Sequence, residues 1–137
     1  MASIHELNFR AGKASRYVEY FELDVTVDLE PHEPEYTLRG YVAEQDGSRD
    51  AYHVAADGTL VQEQRGNKDD WLTELWTLSI PAGTTGRNTY HLGRVERDVS
   101  YQDINSRSGD FYPIATLVPR NRPQISIGSS IPVRVTG

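Results

Sequence analysis

The chain has 137 residues, a length that fits one domain. Hydrophobic residues make up 37% and charged residues 25%, which is typical of a globular protein and excludes a disordered one. The formal net charge is −6 and the sequence has no basic cluster, so we expect no nucleic-acid partner. The absence of cysteine excludes disulfides, thiolate metal sites and thiol catalysis.

The beginning of the chain has no apolar core like that of a signal peptide, because Glu6 and Arg10 interrupt it. The longest uncharged stretch runs from Leu75 to Gly86, contains a proline and is far shorter than the ~20 residues of a membrane span, and the apolar stretch from Phe111 to Pro119 is shorter still. These features predict no membrane partner. We expect a cytoplasmic protein, or a subunit of a particle assembled in the cytoplasm.

Alternation of apolar and polar residues with a period of two is the main structural signal, and it begins in residues 21–29. Every second residue of that stretch is apolar, namely Phe21, Leu23, Val25, Val27 and Leu29. The pattern predicts a strand with one face on a core and one in water. Val18 and Tyr20 have the opposite phase, which predicts a β-bulge near Tyr20. Residues 1–15 are interpreted as a possible N-terminal arm.

Two Asp-Gly pairs follow, and each predicts a tight hairpin turn. An alternating strand from Tyr36 to Val42 ends at Asp46-Gly47, and Asp57-Gly58 separates residues 50–55 from residues 59–64. Asp-Gly favours a type I′ turn, because both residues accept positive φ. We therefore predict a meander of three short strands.

Residues 71–80 fit either a strand or one helical turn. Leu72, Trp76, Leu78 and Ile80 share an inward face in a strand, with Glu74 as the exception. Threonines within the stretch and the proline after it favour a strand.

Further strands are predicted over residues 89–101, 111–118, 124–127 and 131–135. Eight or nine short strands separated by turn signals predict one all-β domain over residues 1–137. Its architecture is either an antiparallel β-sandwich of jelly-roll type or a small closed β-barrel. Sequence spacing does not choose between these two.

The sequence contains no P-loop, no glycine-flanked serine and no His-Glu-x-x-His pair, so we predict no cofactor and no metal. His53 and His91 each follow a tyrosine on a predicted strand. Two imidazoles in a barrel mouth can act as acid and base near neutral pH. If the domain is a small cyclase or isomerase acting on an apolar substrate, these histidines, Glu74 and Arg97 are its candidate catalytic residues.

Three aromatic residues are candidates for ligand binding or for an interface, namely Trp71, Trp76 and Tyr90. Their side chains combine apolar area with a hydrogen-bonding tip, and such side chains bind sugar faces and anchor protein contacts. We expect Trp71, which follows a charged loop, to be partly exposed.

The charge is unevenly distributed along the chain. Residues 1–50 carry a net charge of −6, whereas residues 101–137 carry +2. Glu22, Asp24 and Asp28 form an acidic row on one predicted strand. Four arginines near the other end are the expected complement in a neighbouring copy, namely Arg107, Arg120, Arg122 and Arg134. Arg120 and Arg122 are therefore candidate interface residues.

The leading functional hypothesis is a non-catalytic structural protein. It would assemble with copies of itself or into a larger particle, as a virion-type subunit or decoration protein does. A module that binds carbohydrate or another small ligand is the second hypothesis. The small β-barrel enzyme is the third.

Overall fold

The computed structural model describes residues 2–31, 35–45, 52–62, 71–98, 108–120 and 124–136. Within these residues the chain forms ten strands and no helix. They are β1 (Ser3–Ser15), β2 (Val18–Leu29), β3 (Tyr36–Glu44), β4 (Tyr52–Val54), β5 (Leu60–Gln62), β6 (Trp71–Ile80), β7 (Gly86–Asp98), β8 (Ser108–Pro119), β9 (Ser126–Ser129) and β10 (Val133–Thr136).

The strands form two facing antiparallel sheets and one separate hairpin. The first sheet has the order β1-β2-β7, and the second has the order β10-β8-β3-β6, with β9 also pairing with β8. The hairpin consists of β4 and β5. Over the described residues the sheets do not close into a barrel, so the all-β prediction is confirmed and the sandwich is the architecture formed. None of these residues belongs to a helix long and apolar enough to cross a bilayer.

The first fifteen residues contribute a strand to the first sheet, where the sequence left open an arm. Strand β1 pairs with β2 from Ser3 opposite Asp28 to Ser15 opposite Val18. Its inward side chains Leu7, Phe9 and Ala11 pack against the core. This apolar stripe explains why the segment joins the sheet.

Strand β2 has the alternation that the sequence predicts, but the predicted bulge near Tyr20 is wrong. Burial alternates without interruption along the whole of β2, so that Glu19 takes an inward position and is fully buried. Its carboxylate lies 2.8 Å from Lys13 Nζ on β1, which supplies the counter-charge. The irregularities lie on the two neighbouring strands instead: His5 and Ala14 are extra residues of β1, the second opposite Val18–Glu19, and Leu92 is an extra residue of β7.

The main core lies between the two sheets and is centred on Phe21. The ring of Phe21 stacks on Phe9 at 6.2 Å and meets the edge of Phe111 at 5.2 Å. Phe21 therefore joins both sheets, because Phe9 lies in the first sheet and Phe111 in the second. The side chains of Leu38 and Val42 on β3 fill the same layer.

The β4–β5 hairpin forms a third layer over the outer face of the second sheet. Leu60 packs with Tyr41 and Ile114 in a separate small core. The hydroxyl of Tyr41 accepts a hydrogen bond from Leu60 N at 3.1 Å, and Thr116 Oγ1 donates to Gly58 O at 2.9 Å. These contacts bury β3 and β8 on both faces.

The turn of this hairpin differs in detail from the predicted type I′ turn. Gly58 N donates to Ala55 O at 3.0 Å, which places Ala56 and Asp57 at the centre of the turn and Gly58 after it. Gly58 has a φ of 87°, so this residue supplies the left-handed conformation. The other predicted turn, at Asp46-Gly47, lies outside the described residues.

Strand β6 confirms the strand interpretation of residues 71–80 and explains why Glu74 breaks the pattern. Partners on β3 shift between Gly40–Trp76 and Tyr41–Glu74, so Leu75 is an extra, bulged residue. A bulge reverses the faces on its two sides. Trp76 and Leu78 therefore face the main core, whereas Glu74 belongs to the opposite face. Leu72 also lies on that opposite face, against the small core of Tyr41 and Ile114, so its predicted inward position is wrong.

Candidate functional site

The sandwich is closed on one side and open on the other. On the closed side, β1 contacts β8, β9 and β10, and Ile4 N donates to Ser126 Oγ at 3.0 Å. On the other side, β6 and β7 are the edge strands of their sheets among the described residues, and they do not pair with each other. We call the edges of β6 and β7, with the space between them, the open side.

The open side contains a groove of about 390 Å³ that is exposed to solvent. Residues 75–78 of β6 and 90–92 of β7 line it. Leu75, Leu78, Tyr90 and Leu92 supply its apolar surface, and all four are half-buried. A volume of this size lies at the lower end of the range for ligand or side-chain pockets, ~300–1,000 Å³.

Trp76 lies at the base of the groove and is 7% exposed. Its ring is fixed by close packing, since a Cβ added to Gly40 would lie 2.8 Å from the ring. The indole Nε1 is buried, and none of the described residues accepts its hydrogen. A buried donor without an acceptor costs ~1–3 kcal/mol.

Tyr90 and His91 reach the groove from β7. Burial raises the pKa of the Tyr90 hydroxyl above its ordinary value, so Tyr90 is a neutral group at physiological pH. His91 is exposed, and its Nδ1 lies 2.8 Å from Oδ1 of Asp24 on β2. No carboxylate neighbour of His91 could be identified from local spacing, because strand pairing brings Asp24 to it across 67 positions.

The other candidate catalytic residues lie apart from His91. His53 is exposed on the β4–β5 hairpin. Glu74 lies on the outer face of the second sheet, where it pairs with Arg39 at 3.3 Å and accepts a hydrogen bond from Thr77 at 3.1 Å. Arg97 is exposed near the end of β7 and donates to Glu96 O at 3.1 Å. These residues form no common site within the described parts of the chain.

The candidate interface residues outside the groove do not lie together on one described surface. Arg120 follows β8 and pairs with Glu35 at 3.2 Å within the chain. Trp71 begins β6 opposite Glu44, and its side chain lies outside the described set. Arg122 and Arg107 also lie outside the described residues.

The carboxylates of the acidic row of β2 have ion-pair partners within the chain, and Glu22 and Asp24 share one of them, Arg10. Glu22 pairs with Arg10 at 2.8 Å, and Asp28 pairs with Arg87 at 2.8 Å. The Arg87 guanidinium also lowers the pKa of the Asp28 carboxyl by hydrogen bonding. These ion pairs join β2 to the strands on both sides of it. The attraction of this row to a neighbouring copy by charge stays a prediction.

The open side itself carries no formal net charge. Strand β6 has Glu74 as its single charged residue, and β7 has three arginines against two acids. In a chain of net charge −6, this is a surface where two copies approach each other without strong repulsion.

Three groove residues were missed by the sequence reasoning: Leu75, Leu78 and Leu92. Leu78 belongs to a recognised alternation and was assigned to an ordinary core. Leu75 and Leu92 occupy bulges, which place an extra residue beside the regular alternation. No local signal in the sequence marks those two positions.

Comparisons with known proteins place the chain in no named family. No family model matches it, and no curated protein matches it. A crystal structure of a protein from Archaeoglobus fulgidus is similar, with a TM-score of 0.44, 10% sequence identity and 98% of each chain covered. An X-ray structure of a Northeast Structural Genomics Consortium target gives 0.38 and 13%, covering 98% of this chain and 86% of that one. TM-scores this low carry no information about function, which therefore has to be inferred from the chain's own residues.

Proposed function

We propose that the protein is a non-catalytic subunit that associates with a second copy of itself through the open side. The observation that carries the proposal is the edge of β6, which pairs with no other described strand, beside an apolar groove. This retains the structural role expected from the sequence and replaces its charge-based contact with a contact between sheet edges.

Edge strands present unpaired N–H and C=O groups, and proteins usually protect them with lysine, proline or frequent charges. Strand β6 has ten residues and one charged side chain, Glu74, which Arg39 already neutralises. By contrast, the edge strand β1 carries Glu6, Arg10 and Lys13. Strand β6 is therefore the less protected of these two edges and the better template for another strand.

The groove supports the same contact. Pairing along β6 brings a second copy over Leu75 and Leu78 and removes their apolar surface from water, which stabilises the complex by ~25 cal/mol per Å² of buried apolar area.

Carbohydrate binding receives less support from the same residues. Sugar recognition by tryptophan needs an accessible ring face, and Trp76 is packed against the core with 7% exposure. The enzyme hypothesis receives less support as well, because His91 faces solvent on the first sheet while Glu74 lies on the outer face of the second.

Sedimentation equilibrium on the purified chain tests the proposal. We expect a dimer in the wild type and a monomer after Ser79→Lys, which adds a charge to an exposed position of the β6 edge. The dissociation constant should rise at least about tenfold, or ~1.4 kcal/mol. Ser129→Lys is the matched control, since Ser129 is an exposed serine of β9 on the closed side.

A wild-type chain that stays monomeric at its highest soluble concentration would contradict self-association. The same preparation can then be titrated with anilinonaphthalene sulfonate, a small apolar anion. Saturable binding to that monomer, with a change in Trp76 fluorescence, would assign the groove to a small apolar ligand instead.

A further inference from the structure

The regular half of β6 has an arrangement that suits a two-fold axis. The bulge at Leu75 interrupts the strand, and residues 76–80 beyond it keep an unbroken ladder with β3. Within this half, Trp76, Leu78 and Ile80 face the main core, while Thr77 and Ser79 are exposed. The five residues read nearly alike in both directions about Leu78: large apolar, small hydroxyl, Leu, small hydroxyl, large apolar.

We infer that two copies pair residues 76–80 antiparallel, with the two-fold axis passing beside Leu78. This inference rests on the proposed self-association and adds its register. Leu78 then lies opposite Leu78 of the second copy, Trp76 opposite Ile80, and Thr77 opposite Ser79. Directly opposed residues share a face in an antiparallel pair, so apolar side chains meet apolar ones and hydroxyls meet hydroxyls.

This register joins the two second sheets into one continuous sheet. Each copy of β6 gains a neighbour on its unpaired edge, and the apolar grooves of both copies lie beside the axis. The contact is the same surface on both partners, so assembly stops at a dimer and forms neither rings nor open arrays. Shifting the register by one residue would set Trp76 opposite Ser79, so that the inward face of one sheet would continue into the outward face of the other, which opposes slippage.

Single cysteines test the register cleanly, because the chain has no cysteine of its own. Thr77→Cys and Ser79→Cys both alter exposed positions, so the fold should tolerate them. Opposed Cβ atoms lie ~5 Å apart, whereas diagonal ones lie ~7–8 Å apart, beyond the reach of a disulfide. A mixture of the two variants, oxidised with copper phenanthroline, should therefore form a mixed disulfide dimer, and each variant alone should form several-fold less.

The control mixture combines Thr77→Cys with Ser129→Cys on the closed side and should not cross-link. Sedimentation of the wild type distinguishes a wrong register from a failure to self-associate. If the wild type is dimeric but the Thr77→Cys and Ser79→Cys mixture cross-links no better than either variant alone, the register is wrong and self-association stands. If the wild type is monomeric, both are overturned.

Discussion

Replacing Gly58 by alanine should destabilise the protein much more than the same change at Gly83. Both glycines have a φ of 87°, so the backbone strain on an alanine is matched at ~1–2 kcal/mol. Their surroundings differ. A Cβ on Gly58 would collide with the side chain of Val118, whereas a Cβ on Gly83 meets nothing within 4 Å.

The expected difference comes from that collision. Overpacking of a buried contact costs ~1–3 kcal/mol. Moving the turn outward to relieve it would stretch the hydrogen bond from Thr116 to Gly58 O, worth ~1 kcal/mol. We therefore expect a loss of ~2–4 kcal/mol for Gly58→Ala and ~1–2 kcal/mol for Gly83→Ala.

Urea unfolding followed by circular dichroism measures both variants. With a slope of ~1–3 kcal/mol per molar urea, the midpoint of Gly58→Ala should lie below that of Gly83→Ala by ~1 M. Equal midpoints would refute the reasoning, because they would show that the hairpin turn does not pack against Val118 in solution.

Three further predictions concern stability and are checked by the same unfolding experiment. Val25→Asp should lower the free energy of unfolding by several kcal/mol, because Val25 is fully buried. Thr26→Asp on the solvent face should lower it by less than ~1 kcal/mol. Similar losses in both variants would mean that the alternation does not mark burial. Lys13→Ala should cost ~3–5 kcal/mol, because it leaves the Glu19 carboxylate buried without its cation. The double variant Lys13→Met with Glu19→Leu should recover most of that stability, since it removes both buried charges together. A double variant as unstable as Lys13→Ala would show that the loss does not come from the unpaired carboxylate. Burial and the hydrogen bond to Glu74 raise the pKa of Tyr41 to about 12, above the unfolded value of 10.0. The neutral hydroxyl therefore stabilises the fold fully below pH ~10, and this contribution is lost as the pH rises towards 12. In Tyr41→Phe, the free energy of unfolding should fall less steeply over that pH range.

Local patterns in the sequence predicted the fold class and several of its strands. The alternation of Phe21 to Leu29 and the position of the hairpin near Asp57-Gly58, though not its turn type, depend on neighbours within a few residues, so they could be predicted directly. Glu19 could not be assigned in the same way. A buried carboxylate is stable there because Lys13 pairs with it across the β1–β2 ladder. The phase of the apolar residues Val18 and Tyr20, taken to face inward, led to the false bulge at Tyr20.

The open side was beyond prediction for a different reason. The side-chain chemistry of Trp76 and Tyr90 makes each a candidate binding residue. Whether the two lie in one groove depends on which edges of the two sheets face each other. That arrangement is set by strand order over the whole chain. The ion pairs that neutralise Glu22 and Asp28 likewise depend on the order β1-β2-β7, so the net charge of a segment was no guide to the free charge of a surface.

The hairpin layer gives the molecule two levels of protection against exchange with solvent. Its small core around Leu60 is separate from the core around Phe21, so the hairpin has the means to open as one unit while the sandwich stays folded. Amide hydrogens of β4 and β5 should then exchange at a lower opening free energy than those of β2. During each opening, Tyr112 and Ile114 on the outer face of β8 become accessible to water. The hairpin thereby acts as a removable cover on a strand that is otherwise apolar on both faces.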